Sequence, residues 1–207
     1  MCGVRLACLE DLTAIILLYE EYLREEPCSK SLAISNISND SVHRAFTSLI
    51  LSGNIMVNTL GSAVLAMGVF YSRKCGEDQY DNIEGYNQEE SFAELNPIIA
   101  LSDSVLDTSK IREELNVDWI TYLEILVTKM NARGRGLAYA IVAAIENYAD
   151  GVIAAVATSK ATERILMRRE WRLWKTINSL EFSYDGKHLF QNLGNISAFI
   201  KDFRNIR

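Results

Sequence analysis

The stretch YLEILVTKMNARGRGLAYAIVAAIENY, residues 122–148, decides the fold. Its apolar, β-favouring residues within 123–127 suit a buried strand. Residues 131–136 then interrupt the apolar run with the composition of a turn. From Leu137 onward, apolar side chains recur at spacings of four and three, and alanines fill most other positions. This pattern predicts a helix that is apolar almost all round and therefore buried.

The turn before this helix has the features of an anion site. A helix start leaves backbone N–H groups without partners and carries the positive end of the helix dipole. Gly134 and Gly136 remove side chains where an anion would approach the backbone, and Arg133 and Arg135 add positive charge. Such a turn can bind phosphate. The alternative is a strand-to-helix connection that needs two glycines for its geometry, with two solvated arginines.

Two common phosphate loops do not match, because the chain has no G-x-x-x-x-G-K-S/T and the turn lacks the third glycine of a dinucleotide fingerprint. The turn resembles instead the coenzyme A loop of the GNAT superfamily of N-acetyltransferases, whose signature is Q/R-x-x-G-x-G/A. Arg133, Gly136 and Ala138 form this signature, directly after a strand and at the start of a helix. The resemblance implies acetyl-CoA as cosubstrate and no metal. The cofactor-binding residues that it implies are Leu126, Val127, Arg133, Gly134, Arg135, Gly136, Leu137, Ala138 and Ser159.

Composition narrows the class of protein. At 207 residues, with 49% hydrophobic and 23% charged residues, we expect one globular domain over 1–207. A net charge of −6 argues against nucleic acid and mildly favours a cationic small molecule as partner. The four cysteines show no metal spacing, and without a signal peptide they are expected to be free thiols in a reducing compartment. The apolar runs are too short to span a membrane. We therefore expect a soluble, cytoplasmic monomer.

The remaining sequence predicts an α/β fold with a single mixed, mostly antiparallel sheet flanked by helices, which is the element order of the GNAT acyltransferase fold. In chain order, we expect a strand at 4–7, a helix from Glu10 to Pro27, a helix at 40–51, a hairpin of 55–60 and 63–71, an exposed acidic loop at 75–94, helical turns within 96–115, the strand and helix quoted above, a strand at 152–157, a helix at 159–169, and closing strands at 171–177 and 187–192, followed by a weakly patterned tail.

A narrower resemblance links the chain to the invertebrate-type arylalkylamine N-acetyltransferases. In that family an E-P dipeptide closes the first helix, and it stands here as Glu26-Pro27. The family also places two hydroxyls four residues apart at the last helix, usually serines, and here they are Thr158 and Thr162. Leu166 takes the place of a tyrosine that is catalytic in many other GNAT enzymes, which favours the arylalkylamine branch. Glu170-Trp171 departs from the Gly-Phe pair that is usual after that helix.

The resemblance implies a reaction and a role for each of these residues. Glu26 would accept a proton from the substrate ammonium ion, so that the free amine attacks the thioester. Backbone N–H groups around Leu126 or Val127 would stabilise the oxyanion. Thr158 or Thr162 would protonate the departing thiolate. The expected substrate is an arylalkylamine such as dopamine, serotonin, octopamine or tyramine.

Each role has an alternative at this stage. Glu26 could be a solvated charge at a helix end. Glu124 is a rival base, because strict alternation along the strand would place Tyr122, Glu124, Leu126 and Thr128 on one face. The two threonines could be a helix cap and a first-turn residue. The chain could also act on a polyamine or an amino acid, or bind acyl-CoA without catalysis.

Overall fold

The structure is a computed structural model, and it describes residues 2–34, 37, 39–76 and 90–204. Most of the predicted acidic loop, residues 77–89, lies outside this part of the chain. The strands are β1 (Cys2–Leu6), β2 (Ile55–Leu60), β3 (Ala63–Lys74), β4 (Trp119–Thr128), β5 (Val152–Ala157), β6 (Arg172–Asn178) and β7 (Asn195–Asp202). The helices are α1 (Leu12–Glu25), α2 (Pro27–Ser31), α3 (Asn39–Leu51), α4 (Asn96–Leu106), α5 (Thr108–Leu115), α6 (Leu137–Tyr148) and α7 (Lys160–Arg168).

The seven strands form one sheet in the order β1-β2-β3-β4-β5-β7-β6. Every neighbouring pair is antiparallel except β4 and β5, which run parallel and are joined through α6. The predicted fold class, a single mixed and mostly antiparallel sheet flanked by helices, is therefore confirmed.

Helices cover both faces of the sheet. On one face α1 and α3 pack over β2–β4 through a core that includes Ile15 and Phe46, and α4 packs beside them through Leu101. On the other face α6 buries Ile141 and Ile145 completely. A Cβ on Gly68 of β3 would lie 2.7 Å from Ile141 Cγ2, so this glycine permits α6 to approach the sheet closely.

The last strand is not where the sequence pattern places it. The predicted strand at 187–192 is wrong: within 183–194 only an isolated bridge joins Tyr184 and Lys187. The weakly patterned tail instead forms β7, which lies between β5 and β6. Its residues Ile196–Ile200 are all buried, because an interior strand covered on both faces loses the alternation of apolar and polar residues on which a strand assignment relies.

The Glu170-Trp171 pair follows α7, and Trp171 belongs to a buried polar cluster. Glu170 adopts φ +63°, a left-handed conformation that glycine adopts without strain. Trp171 is buried, and its indole Nε1 donates a hydrogen bond of 2.7 Å to Glu146 Oε1 on α6. Arg169 donates to the same carboxylate, and Lys201 Nζ lies 3.4 Å from both of its oxygens. This cluster ties α6, α7 and β7 together.

Candidate active site

A cavity of about 70 Å³ opens where the corner between α1 and α2 faces α4 and the sheet. It is lined by Tyr19, Tyr22, Leu23, Glu26, Ser29, Leu95, Ile98, Ile99, Ser102, Tyr122, Glu124, Ile125, Val156 and Thr158. Two carboxylates, several hydroxyls and six aliphatic side chains thus meet in one place. A concave site where polar groups converge beside apolar side chains is typical of small-molecule binding.

Glu26 is buried at this corner, with only 7% of its surface exposed, so it is not a solvated charge. Because it precedes Pro27, its backbone is extended (φ −68°, ψ 129°), which ends α1 and makes Glu26 the N-cap of α2. Its Oε2 accepts a hydrogen bond of 2.6 Å from the Ser29 N–H. Its Oε1 is buried and has no hydrogen-bond partner among the described residues. One carboxylate oxygen is fixed by the backbone, and the other is buried in the cavity wall.

Glu124 enters the same cavity because β4 carries a bulge. In the pairing of β3 with β4, Val69 faces Ile125 while Phe70 faces Leu123, so Glu124 has no opposite residue. Alternation is therefore broken here, and Glu124 and Ile125 both line the cavity. The expectation that Leu126 shares the face of Glu124 is wrong, since Leu126 packs against the core on the α6 side of the sheet.

Two tyrosines beside these carboxylates are neutral hydrogen-bonding groups. Burial, with the charge of Glu26 and then that of Glu124, raises the pKa of Tyr22 well above its ordinary value. Burial and the charge of Glu124 likewise raise the pKa of Tyr122. Neither phenol ionises near neutral pH, so the cavity combines two acidic side chains with protonated hydroxyls and aromatic faces.

Only one of the two predicted hydroxyls reaches the cavity. Thr158 follows β5 directly, lines the cavity, and its hydroxyl has no hydrogen-bond partner within the described chain. The N-cap of α7 is Ser159, whose Oγ accepts from the Thr162 N–H at 3.2 Å and lies 3.0 Å from the Thr162 hydroxyl. Thr158 is therefore not the N-cap of α7. Ser159 and Thr162 are hydrogen-bonded to each other and do not line the cavity.

Beside the cavity, β4 and β5 separate. Their ladder pairs only Thr121–Leu123 with Ile153–Ala155, although β4 continues to Thr128 and β5 to Ala157. The edge of β4 that faces β5 has no ladder partner beyond Leu123 in the described sheet, and one of the neighbours Leu126 and Val127 directs its backbone groups to that edge. Polar groups of another molecule can pair with an unpaired strand edge.

The turn after β4 exposes backbone N–H groups. Gly134 and Gly136 have φ of +78° and +77°, and a Cβ at either position would meet nothing within 4 Å. Arg133 Nε donates to the Thr128 carbonyl at 3.2 Å, and Arg135 to the Asn131 carbonyl at 3.1 Å, so both arginines brace the turn. No acceptor in the described chain bonds the N–H groups of residues 134–139. Backbone N–H groups that are open in this way can bind an anion.

Helix α1 links this turn to the cavity. The Met130 N–H donates a hydrogen bond of 2.5 Å to Glu21 Oε1 on α1, one turn before the helix ends at Glu25. The same helix contributes Tyr22 to the cavity. The candidate cofactor turn and the candidate base are therefore fixed relative to each other by one helix.

No feature of the sequence predicts that α4 forms one wall of the cavity. Ile98, Ile99 and Ser102 of α4 line the site, and α4 is linked to β3 by an ion pair in which buried Arg73 and half-buried Asp103 lie 2.8 Å apart. The Arg73 guanidinium lies 6.0 Å from the centre of the Tyr122 ring. Arg73 lies between Ser72 and Lys74 at the polar end of β3, so its position in the sequence does not single it out.

The described residues form neither a metal-ligand cluster nor a membrane-spanning helix. Within residues 2–34, 37, 39–76 and 90–204, no three His, Cys, Asp or Glu side chains are grouped closely enough to hold a metal ion. No helix of the same ranges has the length and apolar character needed to cross a bilayer. The described thiols of Cys8, Cys28 and Cys75 are free. Burial, with the charge of Glu26, raises the pKa of Cys28, so this thiol stays protonated.

Comparison with known proteins identifies the fold. No protein-family model matches the sequence, and no curated protein matches it in sequence. Among solved structures, a mosquito arylalkylamine N-acetyltransferase-like 5b superposes with a TM-score of 0.79 at 13% identity, covering 98% of this chain and 100% of that one. Arylalkylamine N-acetyltransferase 2 from Aedes aegypti gives 0.77 at 14% identity over 98% and 99%. An agmatine N-acetyltransferase in its apo form gives 0.77 at 13% identity over 97% and 99%. The chain therefore has the GNAT acyltransferase fold.

Proposed function

We propose that this chain transfers the acetyl group of acetyl-CoA to a primary amine, with Glu26 as the base. The observation that carries the proposal is the buried Oε1 of Glu26, which has no hydrogen-bond partner in the described chain and belongs to the cavity wall. The fold supports the reaction class, because the solved structures compared above are N-acetyltransferases.

Acetyl-CoA supplies the acetyl group as a reactive thioester. The N–H groups of Gly134 and Gly136 and the first turn of α6 are suited to its pyrophosphate, next to the charges of Arg133 and Arg135. The unpaired edge of β4 offers a backbone N–H, from one of the neighbours Leu126 and Val127, for a carbonyl oxygen that gains negative charge.

Glu26 and Thr158 divide the proton transfers between them. An alkylamine is protonated at neutral pH and has no free electron pair, so Glu26 Oε1 first accepts one proton from the ammonium nitrogen. The nitrogen–carbon bond then forms and the carbon–sulfur bond breaks. The second proton leaves the nitrogen as the thiolate departs, and we assign to Thr158, whose side chain lines the cavity, the transfer of a proton to sulfur. The products are an amide, a free thiol and a protonated Glu26, which loses its proton to solvent.

Two classes of amine suit the cavity. Tyr19, Tyr22 and Tyr122 give it aromatic walls, and the first two rings stack with centroids 6.1 Å apart. Such walls favour an arylalkylamine, the class that the sequence predicts. The second carboxylate, Glu124, favours an amine that carries a further positive charge.

The test is thiol release from acetyl-CoA in the presence of a panel of amines. Glu26→Gln should lower kcat/KM by at least about a hundredfold near neutral pH. The loss should shrink at alkaline pH, where more of the amine is already deprotonated. Glu25→Gln is the matched control, because Glu25 is a partly exposed neighbour paired with Lys30, and it should retain nearly full activity.

Three outcomes would contradict the proposal in different ways. Tight binding of acetyl-CoA without turnover of any amine would indicate an acyl-CoA-binding protein. Full activity in Glu26→Gln with a large loss in Glu124→Gln would transfer the role of base to Glu124. A loss in Glu26→Gln that is the same at every pH would show that this side chain does not accept the amine proton.

A further inference from the structure

We propose that Glu21 is a positioning residue for the acetyl transfer, because its carboxylate holds the cofactor turn, residues 129–136, in a fixed place relative to Glu26. This inference rests on the proposed function, in which the turn receives the pyrophosphate of acetyl-CoA and Glu26 receives the reacting ammonium group.

The contact that carries the proposal joins two elements that are far apart in the chain. Glu21 lies on α1, and Met130 opens the short 3₁₀ turn Met130–Ala132, 109 residues later. The Met130 N–H donates to Glu21 Oε1 at 2.5 Å. Hydrogen bonds to an ionised carboxylate are shorter and stronger than those between neutral groups. Glu21 therefore fixes this N–H firmly.

Helix α1 and the turn face each other across a surface crevice of about 450 Å³. Three side chains of the helix and three of the turn line it, namely Glu21, Arg24, Glu25, Lys129, Met130 and Asn131. Atoms that line an open space have no packing partners on that side. The spacing of the two walls therefore depends on contacts that bridge the crevice, and the hydrogen bond between Glu21 and Met130 is such a contact.

Other hydrogen bonds of the turn attach it to the sheet or brace it internally. The Lys129 N–H donates to the Leu65 carbonyl of β3 at 2.8 Å, and the Ala132 N–H donates to the Lys129 carbonyl at 2.8 Å. These bonds fix the shape of the turn and its attachment to β3. The bond to Glu21 fixes its position relative to α1.

The same helix leads directly to the base. Helix α1 ends at Glu25, and the next residue, Glu26, is held by the Ser29 N–H. Glu21 and Glu26 are thus little more than one helical turn apart. A shift of the cofactor turn relative to α1 would change the approach of the amine to the thioester, and a misplacement of about 1 Å can cost about a hundredfold in rate.

The first experiment compares Glu21→Ala, which removes the acceptor, with Glu21→Gln, which keeps an acceptor oxygen. With acetyl-CoA and the best amine of the panel both saturating, kcat should fall about tenfold in Glu21→Ala and stay within about threefold of the wild type in Glu21→Gln. Glu20, the neighbouring carboxylate of α1, lies outside the described lining of the crevice, so Glu20→Ala is the matched control and should leave kcat unchanged.

A double variant separates alignment from a general loss of structure. In Glu26→Gln the base is already absent, so adding Glu21→Ala should lower kcat much less than it does in the wild type. Residues that act through one another give such non-additive effects, whereas independent residues give additive ones.

Amide hydrogen exchange followed by NMR gives a readout that does not depend on activity. The Met130 amide should exchange about tenfold faster in Glu21→Ala than in the wild type, and close to the wild-type rate in Glu21→Gln. The Ser29 amide, which donates to Glu26, should exchange at the same rate in all three proteins, as a control for the integrity of the base corner.

Four results would overturn the inference. They are an unchanged kcat in Glu21→Ala, an equal fold-loss in the wild-type and Glu26→Gln backgrounds, an effect confined to the KM for acetyl-CoA, and an unchanged exchange rate of the Met130 amide. If no amine is turned over, the proposed function fails separately. The exchange rate of the Met130 amide then decides whether Glu21 holds the turn, and equal rates in the wild type and Glu21→Ala would show that it does not.

Discussion

Replacing Glu146 by Gln should lower the free energy of unfolding by about 3 kcal/mol. The carboxylate is 4% exposed, and its hydrogen-bond donors are Arg169, Trp171 and Lys201. Removing one member of a buried ion pair costs about 3–5 kcal/mol, because the remaining charge is left buried without compensation. The lower end applies here, since the side chains of Arg169 and Lys201 are 22% and 16% exposed and can gain some hydration.

The effect should depend on pH in a defined direction. Burial opposes the ionisation of Glu146, but the hydrogen bonds from Arg169 and Trp171 and the charge of Lys201 outweigh it, so its pKa is lowered. A carboxyl group with a lowered pKa stabilises the folded state fully above its unfolded pKa, about 4.3 for glutamate. That contribution is lost as the pH falls through the folded pKa. The difference between the wild type and Glu146→Gln should therefore be constant near neutral pH and shrink in acid.

Urea unfolding followed by fluorescence measures this difference, and thermal unfolding should show a melting temperature lower by roughly 6–12 °C for a chain of this size. Glu163→Gln is the matched control, because Glu163 pairs on the surface of α7 with Lys160, whose side chain is 70% exposed. An exposed pair of this kind contributes at most about 1 kcal/mol. If Glu146→Gln costs no more than Glu163→Gln, the buried cluster does not stabilise the fold as argued.

Three shorter predictions concern other parts of the chain. Glu170→Gly should raise the free energy of unfolding by about 0.5–1 kcal/mol, because φ is +63° there, and a lower melting temperature would contradict this. Thr158→Ala should lower kcat by about tenfold or more without loss of stability, whereas Thr162→Ala should leave kcat close to the wild-type value, as thiol-release assays will show. Arg5→Ala should raise the pKa of Asp11, which its hydrogen bonds with Arg5 now lower to about 2, so that acid unfolding begins at a higher pH; an unchanged acid midpoint would contradict this.

The part of the site that could be predicted from the sequence is the part specified locally. The strand, the turn and helix α6 follow from residues adjacent in the chain, and the turn at 133–136 has the open geometry that its glycines require. The sequence pattern predicts a buried α6, but this overestimates its burial, since Tyr139 and Tyr148 are 39% and 54% exposed. An apolar sequence indicates that a helix packs, whereas the width of the covered face depends on which elements lie opposite it.

The parts that could not be predicted depend on contacts between distant residues. The bulge at Glu124 is a property of the pairing between β3 and β4, and no local pattern in β4 marks it. Without the bulge, Leu126 would face the cavity in place of Ile125. Strand β7 is similarly defined by its insertion between β5 and β6, which occurs after a long stretch of irregular chain.

The Glu26-Pro27 dipeptide connects the local sequence to the proposed chemistry. Proline excludes helical geometry at Glu26, so α1 must end there, and it also suits the first position of α2. The single residue between the two helices becomes an N-cap, and a glutamate in that place can cap with one oxygen only, here Oε2 on the Ser29 N–H. Capping therefore immobilises the carboxylate, so that the backbone of α2 fixes the position of Oε1. An aspartate or asparagine would cap equally well, but its shorter side chain would not extend as far into the cavity, so the helix does not require glutamate here whereas the proposed reaction does.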